Sequence, residues 1–236
     1  MNEVVAKPKK DLGLEDNKKI RIRLIKSIEI EKFRTFQQRT VELGTQITFL
    51  IGRNGTMKTS LMGLIAHPFS SESKDAFGKE LKTPLKEVFR LSPIYDKSPY
   101  SYNLIMDILD HDSLLKEEVK IYYGQDSKNR HRVVVSGAEK GDGNFSLNTS
   151  FLNLKRLLPL VDTNAKPEFA DEFKLSAQEK RQQKDFYEYV MPSTEYSLFE
   201  PIHQKNQKTT FAPTGQSATY DYETISSGED NFRGYI

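Results

Sequence analysis

Between residues 46 and 66 the chain passes from an apolar run, Ile47 to Ile51, through Gly52-Arg53-Asn54-Gly55-Thr56-Met57-Lys58-Thr59, into a second apolar stretch, Leu61 to Ile65. The first run reads as a buried-looking strand. The spacing of Leu61, Met62, Leu64 and Ile65 reads as a helix. The glycines, lysine and threonine between them follow the phosphate-binding pattern G-x-x-x-x-G-K-[ST] at every defined position but one. In that pattern the loop's backbone N–H groups cradle phosphate oxygens, the lysine reaches the outer phosphates and the hydroxyl holds Mg²⁺; the helix N-terminus favours the anion. The expected phosphate contacts are Arg53, Asn54, Gly55, Thr56, Met57 and Lys58, with Thr59 as the metal ligand. Met57 stands where the pattern has its second glycine, and a side chain there strains any backbone that glycine tolerates best. The plainer alternative is a glycine-rich turn carrying an incidental lysine.

Strands are expected on both sides of this unit. Ile20 to Ile30 alternates apolar and charged residues, the period of a half-buried strand. Phe33 and Phe36 bracket a turn, Arg39 to Leu43 reads as a second strand, and Gly44-Thr45 leads on to Ile47. Pro68 to Asp75 is polar and serine-rich. Thr83-Pro84 opens a short helix carrying Leu85, Val88, Phe89 and Leu91. Tyr102 to Leu109, Val119 to Tyr123 and Arg132 to Val135 read as strands, with Gly124 to Asn129 as a hairpin connection. Phe151 to Leu154 reads as another short strand, Ser176 to Tyr189 as a solvated helix, and Gln204 to Ser217 as a loop. Residues 1–19, polar and rich in lysine, read as a loose arm.

The 236 residues suffice for one large domain or two small ones, and the formal net charge of +2 does not demand a nucleic-acid partner. No cysteine is present, which excludes disulfides, thiolate metal sites and cysteine nucleophiles. His67, His111, His131 and His203 lack metal-ligand spacing. No apolar run approaches the roughly 18 residues that span a bilayer. No signal-peptide core precedes the arm, so a cytoplasmic protein without membrane attachment is the expectation.

Near the C-terminus, Ile225-Ser226-Ser227-Gly228-Glu229 resembles the L-S-G-G-Q/E signature of ABC-type ATPases, with Ser227 in place of the first glycine. Upstream, Ile28 to Phe36 with its Lys32-Phe33-Arg34-Thr35-Phe36 turn, followed by Ile47 to Thr59, is similar to the opening of RecF-like, SMC-like and OLD-like ATPase heads. Asn54-Gly55 matches their N-G step. The resemblance covers the two ends of the chain; between Pro68 and Tyr222 only the order of elements agrees. It implies an α/β P-loop NTPase of ABC-ATPase type, with a mixed sheet, an antiparallel β layer and a helical segment. The organisation expected is an arm (1–19), a β layer with the phosphate loop (20–67), a β-rich insertion (68–160), a helical and loop segment (161–222) and the signature (223–236).

The resemblance also implies ATP and Mg²⁺ held between two subunits of a homodimer or higher homo-oligomer. Lys58 would then contact the β and γ phosphates, Thr59 would ligate Mg²⁺, and Arg34 and Thr35 would lie near the nucleotide. Ser226 and Gly228 would act in trans on the γ phosphate. The signature stretch also reads as a helix N-cap with an acidic first turn, compatible with the same geometry.

Such heads place an apolar strand ending in Asp-Glu after the signature, and none follows Gly228 here, so the C-terminal part of the core is expected to be missing and the catalytic acid is unassigned. The runs ending at Asp107 and Asp162 fit that role poorly, because both precede the signature. Lys155-Arg156 reads better as a solvated basic pair than as a phosphate-sensing loop. The functional expectation is an ATPase head serving DNA metabolism or antiviral defence, with DNA and an effector nuclease or toxin as partners that the residues themselves do not specify. The alternative is a non-hydrolysing subunit that uses ATP to stabilise assembly.

Overall fold

The computed structural model describes residues 5–74, 80–96, 99–109, 111–124, 130–135, 144–151, 168–170, 172–190, 198–204 and 208–214. The chain divides into two compact units, Met1–Asp75 with Glu80–Phe151, and Ala76–Lys79 with Leu152–Ile236.

The first unit is built on a five-stranded antiparallel sheet. Its strands are β1 (Ile22–Phe33), β2 (Phe36–Glu42), β5 (Tyr100–Ile108), β6 (Leu114–Gly124) and β7 (Arg130–Val135), in the order β2-β1-β5-β6-β7. Alternation sets the register: Ile28 faces Val41 on one side and Leu104 on the other, and Tyr102 faces Val119. Along β5 the side chains of Tyr100, Tyr102, Leu104, Met106 and Ile108 fall on one face and are buried, as expected for a two-residue period. Onto the core pack helix α1 (Lys58–Ala66) and the single turn α2 (Leu85–Val88), which starts after Pro84. Gly63 lets these two approach, because a β-carbon built there would lie 1.9 Å from Val88 Cγ1.

A second, smaller sheet joins β3 (Phe69–Lys74) to β4 (Glu80–Lys82) and to β8 (Phe145–Ser146). The polar stretch after Pro68 is therefore a strand. Phe69, fully buried against the core, anchors it, while serine side chains face outward or bond to Asn148.

The N-terminal arm is not loose over its described part. Lys7 N–H donates to Leu114 O and Lys116 N–H to Lys7 O, adding a short parallel bridge to β6. Lys9, only 4% exposed, donates its backbone N–H to Glu117 Oε1 at 2.7 Å and its ammonium to Glu15 O and Asn17 Oδ1. These bonds supply what the polar composition of the arm does not suggest: satisfied partners for a buried lysine and a buried glutamate.

In the second unit, β9 (Glu168–Phe169), β10 (Leu198–Gln204) and β11 (Lys208–Thr214) form an antiparallel sheet in the order β11-β10-β9. The stretch from Gln204 that reads as a loop thus contains a strand. Helix α3 (Ala177–Val190) starts from a capping box, in which Ser176 Oγ accepts from Glu179 N–H and Glu179 Oε2 accepts from Ser176 N–H. It is solvated as expected; Tyr187 is its buried residue and packs on Phe199 with ring centroids 5.6 Å apart.

The protein is a mixed α/β chain with mostly antiparallel sheets and few helices. Among the described residues one expected element is absent: Ile47 to Ile51 forms no strand, while the short strand expected over Phe151 to Leu154 lies outside the described residues beyond Phe151. The chain turns sharply at Gly44, where the amide donates to Thr48 Oγ1 and an added β-carbon would meet Ile47 O at 2.4 Å. Beyond that turn no described strand runs alongside, so Ile47, Phe49 and Ile51 are 69%, 80% and 93% exposed. An apolar run becomes a strand only where a neighbour accepts its backbone bonds.

Candidate functional site

Gly52 to Thr56 forms an exposed loop that enters α1 at Lys58. Gly55 has φ of +81° and Met57 has φ of +60°, while Thr56 between them lies outside the left-handed region. Backbone that switches hand from residue to residue gathers N–H groups into an anion-binding concavity. Among the described residues, the amides of Arg53 to Ser60 donate to no acceptor, so this loop and the first turn of α1 present a run of free donors. The helix N-terminus adds partial positive charge at the same place. Lys58 Nζ folds back onto the loop and donates to Gly52 O and Arg53 O, each at 2.7 Å, and Thr56 Oγ1 donates to Arg53 O. Thr59 is exposed on the first turn, beside Lys58.

The side chain at the position of the second glycine has consequences. Met57 is the N-cap of α1 and adopts the left-handed conformation that the pattern reserves for glycine. Its side chain packs against the edge of the core, and Thr35 Oγ1 lies 2.7 Å from its sulfur. The β1–β2 turn is thereby attached to the loop.

Arg34 occupies that turn with φ of +52°, an uncommon conformation for a residue with a side chain. Its guanidinium is held from one side: Nε donates to Asp96 Oδ1 at 3.2 Å and Nη2 to Arg90 O at 2.8 Å, while Cζ lies 5.7 Å from the Phe33 ring centroid. Asp96 is 6% exposed and also accepts from Ser92 N–H and from Tyr100 O–H at 2.6 Å. Burial pushes its carboxyl upward, but the Arg34, Ser92 and Tyr100 hydrogen bonds outweigh this and hold it below the ordinary aspartate value. Tyr100 is pushed up to about 12 by burial and by the Asp96 carboxylate it bonds to. His131 Nε2 lies 2.8 Å from Asp96 O and closes the cluster.

Behind α1, His67 is buried beside Tyr102. The Tyr102 hydroxyl has one proton and donates it to Leu64 O at 2.8 Å, so the 2.9 Å contact with His67 Nε2 is an N–H donated to the phenol oxygen. Nδ1 then carries the lone pair and has no partner. Burial lowers the pKa of His67 to about 3, so the ring is neutral and structural.

The structure thus brings together Arg34, Thr35, Met57 and the loop Arg53 to Thr59. Ser226 and Gly228, with Asp162, Lys155 and Arg156, lie outside the described residues. Asp107 accepts both Nε and Nη2 of Arg23, at 3.2 and 2.9 Å, and its carboxylate is committed to that pair. Asp96, the partner of Arg34, is not foreseeable from residue spacing, since it stands 62 positions away in a turn. The second unit carries an open cleft lined by Phe173, Lys174, Lys180, Glu200 and Pro201, none of them an expected site residue. No family model matches the chain, and no curated protein or solved structure is detectably similar to it.

Proposed function

We propose that the chain binds the triphosphate of ATP, with Mg²⁺, on Gly52 to Thr59, as the nucleotide-binding head of an ABC-type ATPase of the RecF/SMC/OLD-like group. The observation that carries this reading is the run of free amides from Arg53 to Ser60, with Lys58 Nζ resting on loop carbonyls beside them. Phosphate oxygens are stronger acceptors for an ammonium than peptide carbonyls, so Lys58 would exchange two bonds to neutral carbonyls for bonds to charged oxygens. Mg²⁺ usually keeps several waters and takes few protein ligands besides substrate phosphates, a requirement the exposed Thr59 hydroxyl suits. Pairing of two heads through Ser226 and Gly228, a role in DNA metabolism or defence, and an effector partner belong to the same proposal and rest on the motif resemblance.

Two observations favour the second reading, a non-hydrolysing subunit that uses ATP for assembly. Met57 fills the glycine position of the loop, and the Asp107 carboxylate is engaged by Arg23. Calorimetric titration of Mg²⁺-ATP into the wild-type chain and Lys58→Ala tests binding: a loss of about tenfold or more is expected, equivalent to at least ~1.4 kcal/mol. Unchanged affinity in Lys58→Ala rules the site out. Phosphate release by the wild-type chain separates the readings, since turnover excludes the second.

A further inference from the structure

The concavity of the loop depends on two residues in the left-handed region, Gly55 at φ of +81° and Met57 at φ of +60°. Gly55 takes that conformation freely, whereas Met57 holds it against the steric cost of its own Cβ. Two side-chain contacts keep it there. Met57 is half-buried against the edge of the core, and its sulfur lies 2.7 Å from Thr35 Oγ1 on the β1–β2 turn. Backbone in a sparsely populated region persists only while surrounding contacts over-determine it. The N-cap of α1, and the amides that follow it, are therefore held in place by a thioether that packs as an apolar group.

The chain has no cysteine, so any sulfur chemistry falls to its five methionines. Among the described ones, Met106 is fully buried in the core, Met62 is 47% exposed on α1, and Met57 stands at the end of the exposed loop. Oxidation converts methionine from a flexible apolar side chain into a polar one, and methionine sulfoxide reductases reverse the change. A sulfoxide oxygen is a strong acceptor that an apolar core edge leaves unsatisfied. Met57 is thus the position at which one added oxygen acts directly on the handedness of the loop.

We infer that Met57 is a reversible oxidation site that controls phosphate binding by the loop. The inference rests on the phosphate-binding reading of Gly52 to Thr59 and adds a means of regulating it. The oxidant is a peroxide. A lone pair of the thioether sulfur attacks one peroxide oxygen and the O–O bond breaks; the sulfur is oxidised by two electrons to the sulfoxide, and the other oxygen, taking up the proton released, leaves as water. The polar side chain then turns from the core edge to solvent and gives up the packing that keeps Met57 left-handed. Its backbone relaxes to an ordinary conformation, and the amides that follow no longer converge.

The test uses the full chain untreated, treated with hydrogen peroxide, and treated and then reduced with methionine sulfoxide reductases. Peptide mass spectrometry reads oxidation at Met57 and Met62. Calorimetric titration with Mg²⁺-ATP and, separately, with Mg²⁺ and inorganic tripolyphosphate reads binding. Wild type, Met62→Leu and Met57→Leu are each compared with themselves before and after treatment. The expected result is a loss of about tenfold or more for both ligands once Met57 is oxidised, restored by the reductases, equal in Met62→Leu and absent in Met57→Leu. Met57→Gln, which carries a polar oxygen without treatment, is expected to bind both ligands as weakly as oxidised wild type. Unoxidised Met57 under conditions that oxidise Met62, a Met57 sulfoxide with unchanged affinity, a loss confined to ATP, an equal loss in Met57→Leu, or wild-type affinity in Met57→Gln overturns the inference and leaves the phosphate site standing. Failure of the untreated wild-type chain to bind either ligand removes the phosphate site, and the inference with it.

Discussion

Met57 is where the loop pattern and the backbone disagree. Its φ of 60° and ψ of 23° are glycine's territory, and an L-residue there costs about 1–2 kcal/mol. Met57→Gly removes that strain but adds chain entropy to the unfolded state and gives up packing at the core edge. Its stability is therefore expected to stay within about 1 kcal/mol of wild type. Met57→Ile keeps the strain and adds a branch at Cβ, for which this region is a true outlier, so it is expected to lose more, about 1–3 kcal/mol. Urea denaturation of the two variants checks the order. His67 supplies a second residue-scale expectation. Its pKa falls from 6.5 in the unfolded chain to about 3 in the folded one. The unfolded state thus binds the proton first, and stability is lost as pH falls from 6.5 toward 3. The slope is up to about 1.4 kcal/mol per pH unit. Asp96, also depressed, adds to the loss only below the ordinary aspartate range. His67→Gln, which does not titrate, is expected to flatten the upper part of this profile in denaturation measured from pH 7 to pH 4.

At the level of elements, the contact of α1 with α2 depends on Gly63. Helix propensity favours alanine there by about 1 kcal/mol, but its β-carbon would sit 1.9 Å from Val88 Cγ1 and 3.2 Å from Phe89 Cζ. Overpacking outweighs propensity, so Gly63→Ala is expected to destabilise by about 1–2 kcal/mol, seen as a lower denaturation midpoint at constant slope. The strands of the first sheet were legible because their alternation has one buried face: Ile28, Ile30 and Phe33 on β1 and Tyr102, Leu104 and Met106 on β5 are all buried. Ile47 to Ile51 misled for a physical reason. A run of apolar residues reports that a strand is suited to burial, and whether a neighbour lies alongside is a property of the tertiary fold. Phe69 to Lys74 misled in the opposite sense, since one buried phenylalanine among serines leaves almost no period to read.

For the molecule as a whole, the loop and the β1–β2 turn were legible because each is marked by glycine, lysine and hydroxyl or aromatic residues at fixed local spacing. What tethers them was not. Asp96 holds Arg34 across 62 residues, and Thr35 meets Met57 across 22, distances over which spacing carries no information. The N-terminal arm escaped notice similarly, because Lys9 and Glu117 look like solvated charges until the fold buries them together.

The central claim is that the amides of Arg53 to Ser60 receive a triphosphate. Hydrogen–deuterium exchange with and without saturating Mg²⁺-ATP measures those amides themselves. The expected result is slower exchange across residues 53–60, absent in Lys58→Ala; unchanged exchange there in the wild-type chain would contradict the account.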